Sequence, residues 1–203
     1  MALTYQFNKI AMQQLRAQLK ARQTALPVLK SKEAALRVTI QKQKEVLKEL
    51  NERLARMLAA MKQNVALWAE FPLDIFELKK VEVEVKKVAG IKTPQLKALE
   101  YSVAEFSRFA NPNWLTFGIE QLKQLTEMLT EVEVAEKRIT ILEYALKKTT
   151  QKVNLYEKVQ IPEYNDAILK IKRYLEDVDN LEKAAQKITK TKQAAAAAEE
   201  GAA

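Results

Sequence analysis

Leucine and isoleucine recur along the first third of the chain with the spacing of a coiled coil. From Leu15, alternating steps of four and three residues pass through Leu15, Leu19, Arg22, Leu26, Leu29, Glu33, Leu36, Ile40, Gln43, Leu47, Leu50, Leu54, Met57 and Met61. Eleven of these fourteen positions are apolar and the spacing never slips. That pattern predicts a long helix burying a narrow stripe against a partner helix. Leu3, Phe7 and Ile10 extend a similar stripe toward the start. Pro27 removes one donor from the helical ladder and crowds the preceding turn, so a kink or break is expected near Thr24 to Leu26.

A second stripe follows the turn signal Asn111-Pro112-Asn113-Trp114. It runs Leu122, Leu125, Leu129, Val132, then Ala135, Ile139, Leu142, Leu146, Thr149, Val153 and Tyr156, with one phase shift near Val132. Ile161-Pro162 is expected to kink this arm. Beyond it the stripe resumes at Tyr164, Ile168, Ile171, Leu175, Val178, Leu181, Ala185 and Ile188. Between the arms the period changes. Val81-Glu82-Val83-Glu84-Val85 alternates strictly, as a half-buried strand does. Gly90 suits a turn or bulge, and Thr93-Pro94 is expected to end the element. Gln95 to Val103 reads as a second strand or a short helix. The aromatic cluster Trp68, Phe71, Ile75 and Phe76 is expected to pack where arm meets knob.

Two apolar stripes of similar length must be buried, and pairing them antiparallel within the chain is the simplest solution. The expected fold is mostly α: a long antiparallel two-helix coiled coil formed by the N- and C-terminal arms, with a small β-hairpin or short-helix knob in the middle. The boundaries are residues 1–70 for the first arm, 71–118 for the knob and 119–192 for the second arm. Residues 193–203, rich in Ala and Glu, read as a disordered tail.

Composition narrows the chemistry. The 203 residues include three Gly and five Pro, too few for a turn-rich β protein. With no Cys and no His, the usual zinc, copper and haem ligand sets and the Ser–His and Cys–His nucleophiles are missing. Gly90, Gly118 and Gly201 lie too far apart for a phosphate-cradling loop. The chain therefore reads as a non-enzyme with no cofactor, no metal and no catalytic residue. No apolar run is long enough for a membrane span, and no signal peptide is evident at the start, which points to a soluble intracellular protein. The net charge of +8 resides on the first arm, where residues 1–70 carry 13 basic and 5 acidic side chains. Such an arm suits an acidic partner, nucleic acid or lipid head groups.

Three segments resemble one family. Lys147-Lys148-Thr149-Thr150-Gln151-Lys152-Val153-Asn154-Leu155-Tyr156-Glu157-Lys158-Val159-Gln160-Ile161-Pro162 is similar to the C-terminal signature of the D subunits of V/A-type rotary ATPases. Leu29-Lys30-Ser31-Lys32-Glu33-Ala34-Ala35-Leu36 resembles that family's N-terminal motif, and Lys87-Val88-Ala89-Gly90-Ile91-Lys92-Thr93-Pro94 its middle segment. The family's paired arginines are Gln151 and Lys152 here, and Glu33 stands where the family has a basic residue. The resemblance implies the central-stalk rotor of an ATPase or ATP synthase, coupling rotation to ATP hydrolysis or synthesis in the catalytic head and to ion translocation in a membrane ring. The implied partners are the catalytic and non-catalytic head subunits, the small F subunit of the rotor, and the funnel-shaped C subunit (named d in eukaryotes) leading to the ring. It also implies a peripheral location on the cytoplasmic side of a membrane, without direct insertion.

The candidate contact residues on this reading are Lys30, Lys32, Lys147, Lys148, Lys152, Asn154, Val81, Val83, Val85 and Gly90. Pro27 and Pro162 are expected as helix kinks that face each other across the pair. For the lysines the alternative is a solvated helix face. Arg22, Glu33 and Gln43 either set the register of the seam or turn outward to solvent. The tyrosines at 144, 156, 164 and 174 are expected to pack rather than to stack on bases. Two rival functions share the composition. A generic coiled-coil tether or adaptor would lack the three motifs. A nucleic-acid-binding helical protein fits poorly, because acidic residues interleave through the second arm and aromatic–basic clustering is missing.

Overall fold

A computed structural model describes residues 4–72, 74–106 and 112–200, with side chains to residue 194. Leu3, Asn111 and Gly201, each part of an expectation above, lie outside the described residues. Helix α1 spans Lys9–Lys62, α2 Val65–Ala69, α3 Leu115–Leu155 and α4 Ile161–Glu200, with a π-helical turn over Tyr156–Gln160 between α3 and α4. Strands β1 (Phe76–Val88) and β2 (Ile91–Val103) form an antiparallel pair between α2 and α3. The chain is mostly helical, with a small hairpin in the middle, as the two periods predict.

Helix α1 begins where Asn8 caps it, its Oδ1 accepting the Ala11 N–H at 2.6 Å. Every seam position from Leu15 to Met61 is buried or half-buried, and most residues between them are exposed. Pro27 does not break the helix. It lies inside α1, so the lost hydrogen bond is offset by the pairing that holds both sides of it. The stretch expected to be disordered from 193 is helical backbone as far as Glu200. Its run of alanines, the best helix formers, favours that.

The chain divides into two compact units. One comprises the residues up to Lys30 together with those from Gln151 onward. Here α1 and α4 run antiparallel, and Leu15, Tyr164, Ala167 and Ile171 form the core, with Met12, Leu19, Ile168 and Leu175 packed around it. Phe7 meets Tyr174 at 5.1 Å between ring centroids. Past Val178 the stripe is unburied: Leu181 and Ile188 are exposed.

The other unit spans Ser31–Thr150. Its core is Leu36, Ile40 and Leu142, with Leu146 and the hairpin residue Ile91 against it. The hairpin turns on Ala89 (φ 50°) and Gly90 (φ 77°), the paired left-handed conformation of a tight two-residue hairpin turn. Thr93-Pro94 does not end the element; both lie within β2. A proline fits there because among the described residues β2 pairs with one strand only, leaving half its N–H groups outside the ladder. Gln95 to Val103 is strand, not helix.

At the base of the hairpin, Trp68, Phe71 and Trp114 form an aromatic cluster with centroids 5.5–6.1 Å apart. Phe76 instead stacks on Tyr101 at 5.4 Å. Gly118 is required beside that cluster, since a Cβ there would come within 2.8 Å of the Trp114 ring.

Candidate interaction surfaces

The three polar residues on the α1 seam all reach across to the opposite helix. Arg22 donates through Nε to Gln160 Oε1 at 2.6 Å, and its guanidinium lies 4.5 Å from the Tyr164 ring centroid. Glu33 Oε1 accepts from Thr150 Oγ1 at 2.9 Å and from Arg37 Nη2 at 2.7 Å. Gln43 Oε1 accepts from Arg138 Nη1 at 3.0 Å. None of the three turns out to solvent. Each pairs a donor with an acceptor at one fixed level, so sliding either helix breaks the bond and leaves a half-buried polar group without it. The geometry is that of a register lock.

The first lock sits on the irregular stretch of the second arm. Within the π turn, the Ile161 N–H donates to Tyr156 O, five residues back. The wider turn accommodates Pro162, which has no N–H and would crowd an ordinary α turn before it. Arg22–Gln160 and Lys30–Glu157 (2.7 Å) bracket Pro27, so Pro27 lies level with the π turn.

The candidate lysines are all exposed. Lys30 is the one with an ion pair across the helices, to Glu157, both about half exposed and so weakly held. Lys148 Nζ lies 5.5 Å from the centroid of exposed Tyr144. Lys152 flanks a groove over Ala17, Ala21, Ala25 and Val28. Lys32, Lys147 and Asn154 face solvent. Of the four tyrosines, Tyr164 is buried and Tyr156 half-buried, whereas Tyr144 and Tyr174 stay exposed.

The hairpin is clasped onto the helices through β2. Arg138, besides reaching Gln43, donates Nε to Pro94 O at 3.1 Å. Tyr101 Oη donates to Lys123 O at 3.2 Å, and burial raises the Tyr101 pKa above its ordinary value. Thr93, almost fully buried, bonds Lys86 O across the turn. Nothing in the apolar periods pointed to Arg138 or Gln160. Arg138 adjoins the seam residue Ile139, which was the one available signal.

Strand β1 lies on the outside. Val81, Val83 and Val85 are not half-buried as their alternation suggests but exposed, at 40%, 46% and 69%. Glu82 accepts from Lys80 at 2.7 Å and Lys97 at 3.3 Å; these bonds hold its carboxyl below the usual range and raise Lys80. Among the described residues no three acidic side chains converge to hold a metal ion, and no helix is long and apolar enough to cross a membrane.

Residues 11–191 match the family model for the D subunit of ATP synthase. Among curated proteins the chain is similar to the D subunit of the V-type ATP synthase of Borreliella burgdorferi, 30% identical over 79% of this chain and 80% of that one. It is 29% identical to the corresponding protein of Chlamydia pneumoniae over 76% and 77% of the two chains. With that of Chlamydia abortus it shares 28% over 85% and 82%.

Proposed function

Because the chain belongs to the D-subunit family of ATP synthases, we propose that it is the central-stalk rotor of a V-type ATPase or ATP synthase, coupling rotation to catalysis in the head and to ion translocation in the membrane ring. The observation that carries this reading is the match across residues 11–191, which takes in both arms and the hairpin rather than one motif. The partners on this reading are the catalytic and non-catalytic head subunits, the small F subunit of the rotor and the funnel-shaped protein that meets the ring. The chain itself supplies no catalytic group and works at the cytoplasmic face of the membrane.

The packing suits a part that must carry torque. Twisting a helix pair drives one helix to slide along the other, and the three locks at Arg22, Glu33 and Gln43 oppose sliding at three separate levels. The outward lysines are solvated, so their contacts with a surrounding sleeve would be weak and exchangeable. A strong fixed ion pair would pin a rotor. A shaft without the head's rotational symmetry meets each catalytic site differently, and each angular position then favours a different nucleotide state.

Native mass spectrometry of tagged chain, recovered from gently solubilised source membranes, tests this. One copy bound to larger ATPase subunits and one small partner is the expected result. Recovery alone or as a homo-oligomer would overturn it in favour of a coiled-coil tether.

A further inference from the structure

We infer that the outer edge of β1 receives an extended segment of another protein, whose residues alternate apolar and basic between acidic ends. This interface does not depend on the rotor reading. It rests on an open strand edge and on the order of charges along it.

Among the described residues β1 pairs with β2 and with no other strand. Alternate N–H and C=O groups of its free edge therefore point away from the hairpin, which is the template for strand addition. Natural edges of this kind are usually blunted, and here Lys79 forms a bulge while Lys86 and Lys87 charge the far end. Between those guards Val81, Val83 and Val85 lie on one face of the strand and are exposed.

The charge order says which strand fits. Residues 79–87 read Lys-Lys-Val-Glu-Val-Glu-Val-Lys-Lys, the same in both directions about Val83. A second copy pairing in register, parallel or antiparallel, sets glutamate against glutamate and lysine against lysine. Like charges directly opposite destabilise a strand pair. Slipping an antiparallel pair until Glu84 meets Lys86 sets Val83 against Lys87. In register, the edge thus disfavours a second copy of itself in either orientation. Its complement is a strand with apolar residues opposite the valines, basic residues opposite Glu82 and Glu84, and acidic residues opposite the flanking lysines.

Two synthetic peptides presented to the full-length chain decide the matter. One is Glu-Glu-Val-Lys-Val-Lys-Val-Glu-Glu; the other copies the strand, Lys-Lys-Val-Glu-Val-Glu-Val-Lys-Lys. Hydrogen exchange should slow across 80–86 with the first peptide, and fluorescence anisotropy should show it binding about tenfold tighter than the copy. Glu84→Lys, at an exposed site that leaves the circular dichroism unchanged, should weaken the first peptide and promote self-association, since Glu82 of one copy would then face a cation of the other. Equal binding of the two peptides, no protection of β1, or a dimer of the unaltered chain with β1 protected would overturn the proposal. None of these results bears on which subunits are recovered from membranes, so the rotor reading stands or falls separately.

Discussion

Around Ile171 the apolar seam is formed by two helices, whereas around Leu142 a third layer, the tip of a β-hairpin, lies on it. The polar seam residues follow the difference. Arg22 is held across the seam by Gln160 and the face of Tyr164, and within its own helix by the Gln18 carbonyl. Gln43 is held by Arg138, which in turn grips a carbonyl of β2. A helix pair has just one interface, so its polar member must be satisfied within it. Where a third element packs alongside, one side chain can satisfy both interfaces and tie them together.

The largest test of that contrast is to cut a cavity in each core. Leu142→Ala and Ile171→Ala each remove a fully buried side chain and should cost about 2–5 kcal/mol in thermal or denaturant unfolding. Only Leu142→Ala should also speed hydrogen exchange in β1 and β2, because Ile91 rests on that cluster. Equal loosening of the hairpin by both would erase the distinction. Next in size is Arg138→Ala, which leaves Gln43 Oε1 and Pro94 O without their donor and should cost about 1–3 kcal/mol. Exchange at 91–96 should rise with it, while Arg22→Ala should leave those amides unchanged.

Raising the pH should act on the hairpin through Tyr101. Burial raises its pKa in the folded chain, so below the ordinary tyrosine value near 10 the phenol is neutral in both states and its contribution is intact. As pH climbs from there through the folded value, the unfolded state gains by ionising first and the bond to Lys123 O is lost. Hairpin exchange, corrected for intrinsic rate, should therefore increase in that alkaline window, and Tyr101→Phe should flatten the response. The smallest effect is expected at Ala89, where φ of 50° is costly for a residue with a Cβ. Ala89→Asn should stabilise the turn by up to about 1 kcal/mol, read as slower exchange at Val88 and Ile91.

The seam on α1 and the existence of the hairpin were legible because each rests on a repeated local pattern that one partner surface satisfies. Val134 was missed, and Leu129, assigned to the stripe, is exposed. Both lie near the phase shift at Val132, where α3 turns toward the hairpin as well as toward α1, and Val134 lines a groove with Leu96 of β2. A single-stripe reading has no way to represent two partners. Of the kink or break expected at Pro27, the break does not occur, because the local cost of a proline is visible in sequence while the pairing that offsets it is not. The valines of β1 show the reverse failure, since alternation announces a two-faced strand without saying whether the apolar face is covered. The contacts assigned to Lys30, Lys32, Lys147, Lys148, Lys152 and Asn154 concern partner chains, and exposure alone does not select among them.

The π turn can be read as a correction of phase. Continued in alternating steps from Tyr156, the stripe would fall on 160, 163, 167, 170 and 174, yet the side chains that face α1 are Tyr164, Ile168, Ile171 and Leu175, with Ala167 beside them. The second arm is thus one residue out of step after residue 160, which in an unbroken α-helix would swing its apolar face by about 100° away from its partner. One wide turn absorbs that residue and returns the stripe to the seam. It follows that the arm should tolerate a change of length here and almost nowhere else. Deleting Val159 together with Pro162→Ala should give a continuous helix that still pairs, whereas deleting one residue near Lys172 should unzip the end of the coil.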